Sequence, residues 1–164
     1  HKIASIFSIT REEVDACLQE EIKHAHKIKT AALADLSGKK VIYNVASSLD
    51  FSVSTFAQEG LLALGFFREM GFDIQLLVQG NPEESHRKEV ENILKSKEIN
   101  EPVAMLGHCG DGYRHFNEYQ DGIVFGSPLM NKDAEEQGLQ FINNHSFEIG
   151  LKGFEKNVEI MTRK

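Results

Sequence analysis

Three features are scarce in this chain, and each scarcity excludes a class of protein. Only two cysteines occur in 164 residues, so there is no disulfide framework, and a reducing, cytoplasmic compartment is favoured. No apolar run approaches the roughly 20 residues of a membrane helix, and no secretory signal is visible. Acidic residues outnumber basic ones by 25 to 18, for a net charge of −7, which argues against a nucleic-acid partner.

The composition that is present is that of an ordinary globular domain. Hydrophobic residues make up 41% of the chain and charged residues 26%. The length suits one domain with a sizeable core. We expect residues 1–38 to form a helical N-terminal arm and residues 39–164 to form an α/β domain.

The arm is predicted to be one long helix. Thr10 and Glu13 have the spacing of a capping box, in which each side chain satisfies an amide of the first turn. Apolar residues recur every three or four positions from Val14 to Leu36, and Gly38 follows as a stop signal. An apolar stripe of this length is unfavourable when it is exposed to water, so we expect this helix to pack on the α/β domain, on a protein partner or on another copy of the chain.

From Lys39 onward, short apolar strands alternate with amphipathic helices. The predicted strands are KKVIYNVA, FDIQLLVQG, PVAML and GIVFGS, with NVEIMT as a last one. The predicted helices are STFAQEGLLALGFFREMG, NPEESHRKEVENILKSKEI and KDAEEQGLQFINNH. This alternation predicts a three-layer α/β sandwich with a mainly parallel, Rossmann-like central sheet.

Three polar loops follow predicted strands, at residues 44–52, 79–85 and 107–115. Ligands of open parallel sheets bind beyond the carboxyl ends of the strands, so these loops are expected to line one crevice. The expected ligand-binding residues are Asn44, Ser47, Gln79, Gly80, Asn81, Lys95, Gly110 and Gly112.

The loop GHCGDGYRH concentrates more potentially reactive side chains than any other stretch of the chain, with two His, one Cys and one Asp. Its glycines suit a tight turn, and the amides of such a turn can also cradle an anion. Asp111 fits either a turn-capping carboxylate or a ligand of the crevice, and Asp111 and Cys109 are the candidate catalytic residues.

Cys109 and the neighbouring histidines leave two further alternatives open. Cys109 is either an inert small side chain or a thiol whose pKa is lowered by His108. Asp111, His108 and His115 are candidate metal ligands of this loop. For Zn²⁺ the soft or borderline ligands are His108, Cys109 and His115, which would still need a fourth ligand.

The order of these segments resembles the haloacid dehalogenase (HAD) superfamily of aspartate-nucleophile phosphatases. The resemblance covers about residues 39–127 and rests on VIYNVASSLD, LGFFREMGFDIQLLVQGN and LGHCGDGYRHFNEYQDGIVFGS. It implies that Asn44 and Ala46 stand where the family has its nucleophile and its acid–base aspartate. Neither side chain can perform those steps at neutral pH.

The same resemblance assigns the remaining positions. Gln79 falls at the Thr or Ser that holds a phosphoryl oxygen, and Lys95 or Lys97 at the phosphate-neutralising lysine. Asp111 falls at a magnesium ligand, whereas His115 replaces the partner carboxylate, so a Mg²⁺ cofactor would keep one carboxylate ligand where it prefers several.

A second resemblance is to small sulfur-relay proteins of the DsrE type. It rests on EPVAMLGHCGDG, where Cys109 would carry a persulfide. The favoured interpretation is a degenerate, non-catalytic HAD-like domain that acts as a binding or regulatory module. The alternatives are a sulfur-relay or thiol-dependent enzyme using Cys109 and a magnesium-dependent phosphohydrolase with atypical motifs.

Overall fold

The computed structural model describes residues 10–45, 61, 63–80, 83–107, 116, 119 and 121–163. Its strands are β1 Lys40–Val45, β2 Asp73–Gln79, β3 Val103–Leu106, β4 Ile123–Gly126 and β5 Gln140–Asn143. Its α-helices are α1 Arg11–Leu36, α2 Leu64–Glu69, α3 Glu84–Ser96, α4 Asn131–Glu136 and α5 Leu151–Thr162. Two 3₁₀ helices, Pro128–Met130 and Asn144–Ser146, follow β4 and β5. No helix in these ranges combines the length and the apolar character required to cross a bilayer.

The five strands form one parallel sheet in the order β3-β2-β1-β4-β5. The chain therefore starts in the middle, builds outward through β2 and β3, and then returns to the other side of β1. This is the doubly wound order of Rossmann-like folds, and the predicted three-layer α/β class is confirmed.

One face of the sheet is covered by an aromatic cluster. Tyr43 and Phe125 project from adjacent strands and contact Phe67 of α2, with ring centroids 5.7 and 5.1 Å away. Burial raises the pKa of the Tyr43 hydroxyl, which accepts a hydrogen bond from the Ala63 amide at 3.3 Å. Right-handed crossovers place α2 and α3 on this face.

The opposite face carries an aliphatic core. Ile42, Leu77 and Val124 lie on three neighbouring strands and pack with Met130 and Ala134 from the segment after β4. The two faces differ because successive side chains of a strand point to opposite sides. Helical segments thus lie on both sides of the sheet.

The chain divides into two compact units. One is Leu36–Phe147, which holds the sheet, and the other combines the N-terminal segment through Asp35 with Glu148–Lys164. In the second unit, His24 of α1 lies 3.5 Å from Glu155 of α5. Asn157 secures the start of α5, since its side chain accepts from the Glu148 amide and donates to the Glu148 carbonyl.

The predicted N-terminal helix is confirmed in detail. Glu13 accepts hydrogen bonds from the Thr10 amide and hydroxyl, and the Thr10 hydroxyl accepts one from the Glu13 amide at 3.2 Å. These bonds lower the pKa of Glu13. Gly38 takes a left-handed φ of 79° just past the helix end, and Gly71 does the same, at 72°, after α2.

Two secondary-structure predictions were wrong. The stretch KDAEEQGLQFINNH is not one helix, because Gly138 adopts a φ of 71° and the chain continues as β5. The pairing of Phe141 with Val124 extends the sheet and outweighs the helical spacing. NVEIMT is not a strand but the end of α5, whose buried Val158 and Met161 are three residues apart on one helix face.

Candidate functional site

The carboxyl ends of β1, β2 and β3 lie at one edge of the sheet. Asn44 pairs in register with Leu77 of β2, and Leu77 pairs with Ala104 of β3. The strand order reverses between β1 and β4, and this boundary is where doubly wound sheets open a crevice. The described ends of the three predicted loops therefore share this edge.

Asn44 lies beside the boundary between β1 and β4. Its side chain is only 3% exposed, and Nδ2 is 3.5 Å from the Leu77 carbonyl oxygen. A Cβ atom placed on Gly126 would come within 2.8 Å of the Asn44 Cβ. Glycine at position 126 thus leaves the space into which the Asn44 carboxamide packs.

Gln79 and Gly80 end the neighbouring strand, as predicted from the sequence. The Gly80 amide donates to the Leu106 carbonyl at 3.0 Å, so the ladder continues to the edge. A Cβ atom at Gly80 would lie 3.0 Å from Nε2 of His86 in the first turn of α3. His86 also lies 3.5 Å from Glu89, and it is a polar group of this edge that the sequence analysis did not single out.

Asn144 is a second polar residue of this edge that sequence reasoning missed. It follows β5 directly and is 2% exposed. Its Oδ1 has no hydrogen-bond donor among the described residues. Buried polar atoms are nearly always paired, so a lone acceptor at a sheet edge marks a place for a donor. The sequence signal for this residue was the pair of asparagines at the end of KDAEEQGLQFINNH. It was missed because that stretch was predicted to be a helix.

Lys95 does not join the other predicted residues. It lies in the last turn of α3, just before the turn that leads into β3, and is exposed. Since α3 runs from the carboxyl edge back to the amino edge, Lys95 lies at the opposite edge from Asn44. A phosphate at the crevice would therefore not contact this lysine.

The rest of the predicted site lies outside the described residues. These positions are Ala46, Ser47, Asn81, His108, Cys109, Gly110, Asp111, Gly112 and His115. In the part of the chain that the structure describes, no three His, Cys, Asp or Glu side chains are grouped as a metal site. The described cysteine is Cys17 of α1, which is exposed and free.

A separate open groove of about 530 Å³ lies at the amino edge. There Arg68 of α2 forms a bidentate ion pair with Glu101, in which Arg68 Nη2 lies 2.6 Å from Glu101 Oε2. Hydrogen bonding to this guanidinium lowers the pKa of Glu101, and the Asn100 amide adds a bond at 3.1 Å. The pair ties α2 to the turn before β3, which gives it a structural role.

Comparison with known proteins supports the fold. No protein-family model matches the chain, and neither does any curated protein. The chain resembles a solved structure titled "Nitrogenase Cp1 at pH 6.5", with a TM-score of 0.57 and 20% identity over 90% of this chain and 32% of that one. The chain therefore spans about a third of the length of that protein, and the likeness concerns the fold alone.

A second solved structure is the tetrameric eIF2B-beta2-delta2 complex from C. thermophilum. Its TM-score is 0.38 and its identity 16%, over 80% of this chain and 44% of that one. This similarity is too low to support any argument about the present chain.

Proposed function

We propose that the sheet unit is a degenerate, HAD-like binding module that holds a polar ligand at its carboxyl edge without performing phosphoryl chemistry. The observation that carries the proposal is Asn44, a buried carboxamide beside the β1–β4 boundary. A carboxamide does not attack phosphorus and does not exchange a proton near neutral pH, whereas it does donate and accept hydrogen bonds. Recognition is therefore the role that this side chain supports.

The electrostatics of the edge favour the same role. Asn44 and Asn144 are both buried and both uncharged. Asn44 is the penultimate residue of β1 and Asn144 directly follows β5, and these two strands flank β4. An unpaired Oδ1 on Asn144 favours a ligand with an N–H or O–H donor, such as a sugar hydroxyl. Glu84 begins α3, so its negative charge opposes an anion at that helix end.

Two assays separate binding from catalysis. With p-nitrophenyl phosphate and Mg²⁺, we expect no turnover above that of boiled protein. Magnesium-dependent turnover that disappears in an Asp111→Ala variant would show that the chain is a phosphohydrolase. Such a result would overturn the binding-module proposal.

The binding assay follows the melting temperature with adenosine, adenosine monophosphate and inorganic phosphate as probes. We expect the two hydroxyl-bearing probes to raise it and phosphate to have the smallest effect. Asn144→Ala should remove the rise, while Asn143→Ala, beside it but already engaged with the His145 amide, should not. A rise that persists in Asn144→Ala would place the ligand elsewhere.

The proposal includes two features beyond the crevice. We place the chain in the cytoplasm, on its low cysteine content. We also assign α1 as a contact for a protein partner or another copy of the chain, because Leu18 and Ile22 of its apolar stripe are exposed.

A further inference from the structure

The first turns of α1 are exposed on all sides. In residues 11–20, only Val14 is even half-buried. Leu18 is 47% exposed and Ile22 40%, and four residues on a helix bring them to the same side. A helix segment that packs so little is only marginally stable in water, because most helical stability comes from packing of the apolar face.

Helix α5 does not cover these two residues. It meets α1 at His24, which lies 3.5 Å from Glu155. At 3.6 residues per turn, His24 points about 120° away from Leu18 and about 160° away from Ile22. The Leu18–Ile22 face therefore remains without a cover in the part of the chain that the structure describes.

The charge of α1 is distributed unevenly about Ile22. Residues 11–21 hold five acids and one arginine, a formal charge of −4, whereas residues 23–33 hold three lysines and no acid, a formal charge of +3. A two-fold axis at Ile22 would place residue 23 beside residue 21 of the other copy. Each residue further along the helix would likewise lie beside the residue at the same distance on the other side of Ile22. Each acidic half would then face a basic half.

We propose that the Leu18–Ile22 face of α1 binds a second copy of the chain in an antiparallel helix pair centred on Ile22. The two Ile22 side chains meet at the axis, and one Leu18 packs on either side of it. The opposite halves attract each other, whereas a parallel pair would set like charges side by side. The arrangement is isologous and closes on itself as a dimer. This inference specifies the partner proposed for α1 and is independent of the ligand crevice.

The first test is the mass of the full chain in sedimentation velocity. We expect a dimer at micromolar concentration whose dissociation constant rises with salt, because exposed charges are screened. Ile22→Glu places two like charges at the axis and should raise the dissociation constant at least ten-fold. Leu129→Glu, at a residue 77% exposed in the sheet unit, is the matched control and should leave it unchanged. A monomeric wild-type chain overturns the proposal.

A charge exchange tests whether opposite charges on α1 drive the pairing, and it does not depend on Ile22→Glu folding well. One variant carries Lys23→Glu, Lys27→Glu and Lys29→Glu, and the other carries Glu12→Lys, Glu20→Lys and Glu21→Lys. Each alone should be monomeric, because both halves of its helix then have one sign, and an equimolar mixture should form a heterodimer. If the wild type dimerises but the mixture does not recombine, opposite charges on α1 do not drive dimerisation and the proposed helix pair is wrong.

Discussion

At the amino edge of the sheet, Arg68 and Glu101 are an ion pair that joins a helix to the turn before a strand. At the carboxyl edge, the described buried polar groups are Asn44 and Asn144, which carry no charge. The Glu101 carboxylate has several partners, whereas the Asn144 Oδ1 has none among the described residues. The comparison indicates that the polar groups of the amino edge are paired within the fold, whereas the carboxyl edge keeps a buried acceptor that is unpaired among the described residues.

The largest expected effect comes from Asn44→Asp. A carboxylate would replace a carboxamide that is 3% exposed and would face the Leu77 carbonyl oxygen without a donor. We expect a loss of about 3 kcal/mol in the free energy of unfolding at neutral pH. Urea unfolding at several pH values measures it.

The pH dependence of that variant follows from burial. The folded-state pKa of the new Asp should lie above its unfolded value, so the folded protein holds the proton more tightly. The penalty should be absent below the unfolded pKa of about 3.9 and grow as pH rises to the folded pKa. Asn143→Asp is the control, because an Asp there can still accept from the His145 amide. Equal losses in the two variants would show that burial at Asn44 has no special role.

Gly126→Ala should produce the second-largest effect. The new Cβ would lie 2.8 Å from the Asn44 Cβ, so one of two paired strands must shift. We expect a loss of about 2 kcal/mol by overpacking. Gly65→Ala in α2 is the control, since its Cβ would meet nothing within 4 Å, and it should stabilise by about 0.5 kcal/mol. Tolerance of Ala at position 126 would contradict the close approach of β1 and β4.

Glu101→Gln tests the amino edge. The lost charge weakens the pair with Arg68, which is 41% exposed, so we expect a loss of only about 1 kcal/mol at neutral pH. Because the folded pKa of Glu101 is lowered, the stabilisation is present above its unfolded pKa and is lost as pH falls through the folded pKa. The wild type and the variant should therefore converge in acid. Glu91→Gln, in the exposed i,i+4 pair with Arg87, should cost less at neutral pH.

Asn144→Ala should change stability least. Its Oδ1 makes no bond with the described residues, so removing the side chain should cost less than about 0.5 kcal/mol. Asn157→Ala is the contrast, because that equally buried side chain makes two backbone hydrogen bonds, and it should cost about 2 kcal/mol. Similar losses in both would indicate that Asn144 supports the fold.

Residues close together in sequence accounted for the predictions that succeeded. The capping box of Thr10 and Glu13 spans one turn, and Gly38 and Gly71 end their helices through their own φ angles. The apolar runs that became β1 to β4 could be read because strands buried on both faces are apolar throughout. For the candidate site, these signals were enough to predict that Asn44, Gln79 and Gly80 end strands at one edge.

The sequence by itself determined the alternation of strands and helices, the parallel class of the sheet and the stops that separate its elements. Only the tertiary structure decided that Gln140–Asn143 is a strand, because its stability comes from pairing with β4. The tertiary structure also placed Lys95 away from Asn44 and brought Gly126 against it. These outcomes depend on contacts between residues far apart in the chain, and the local periodicity that distinguishes helix from strand carries no information about such contacts.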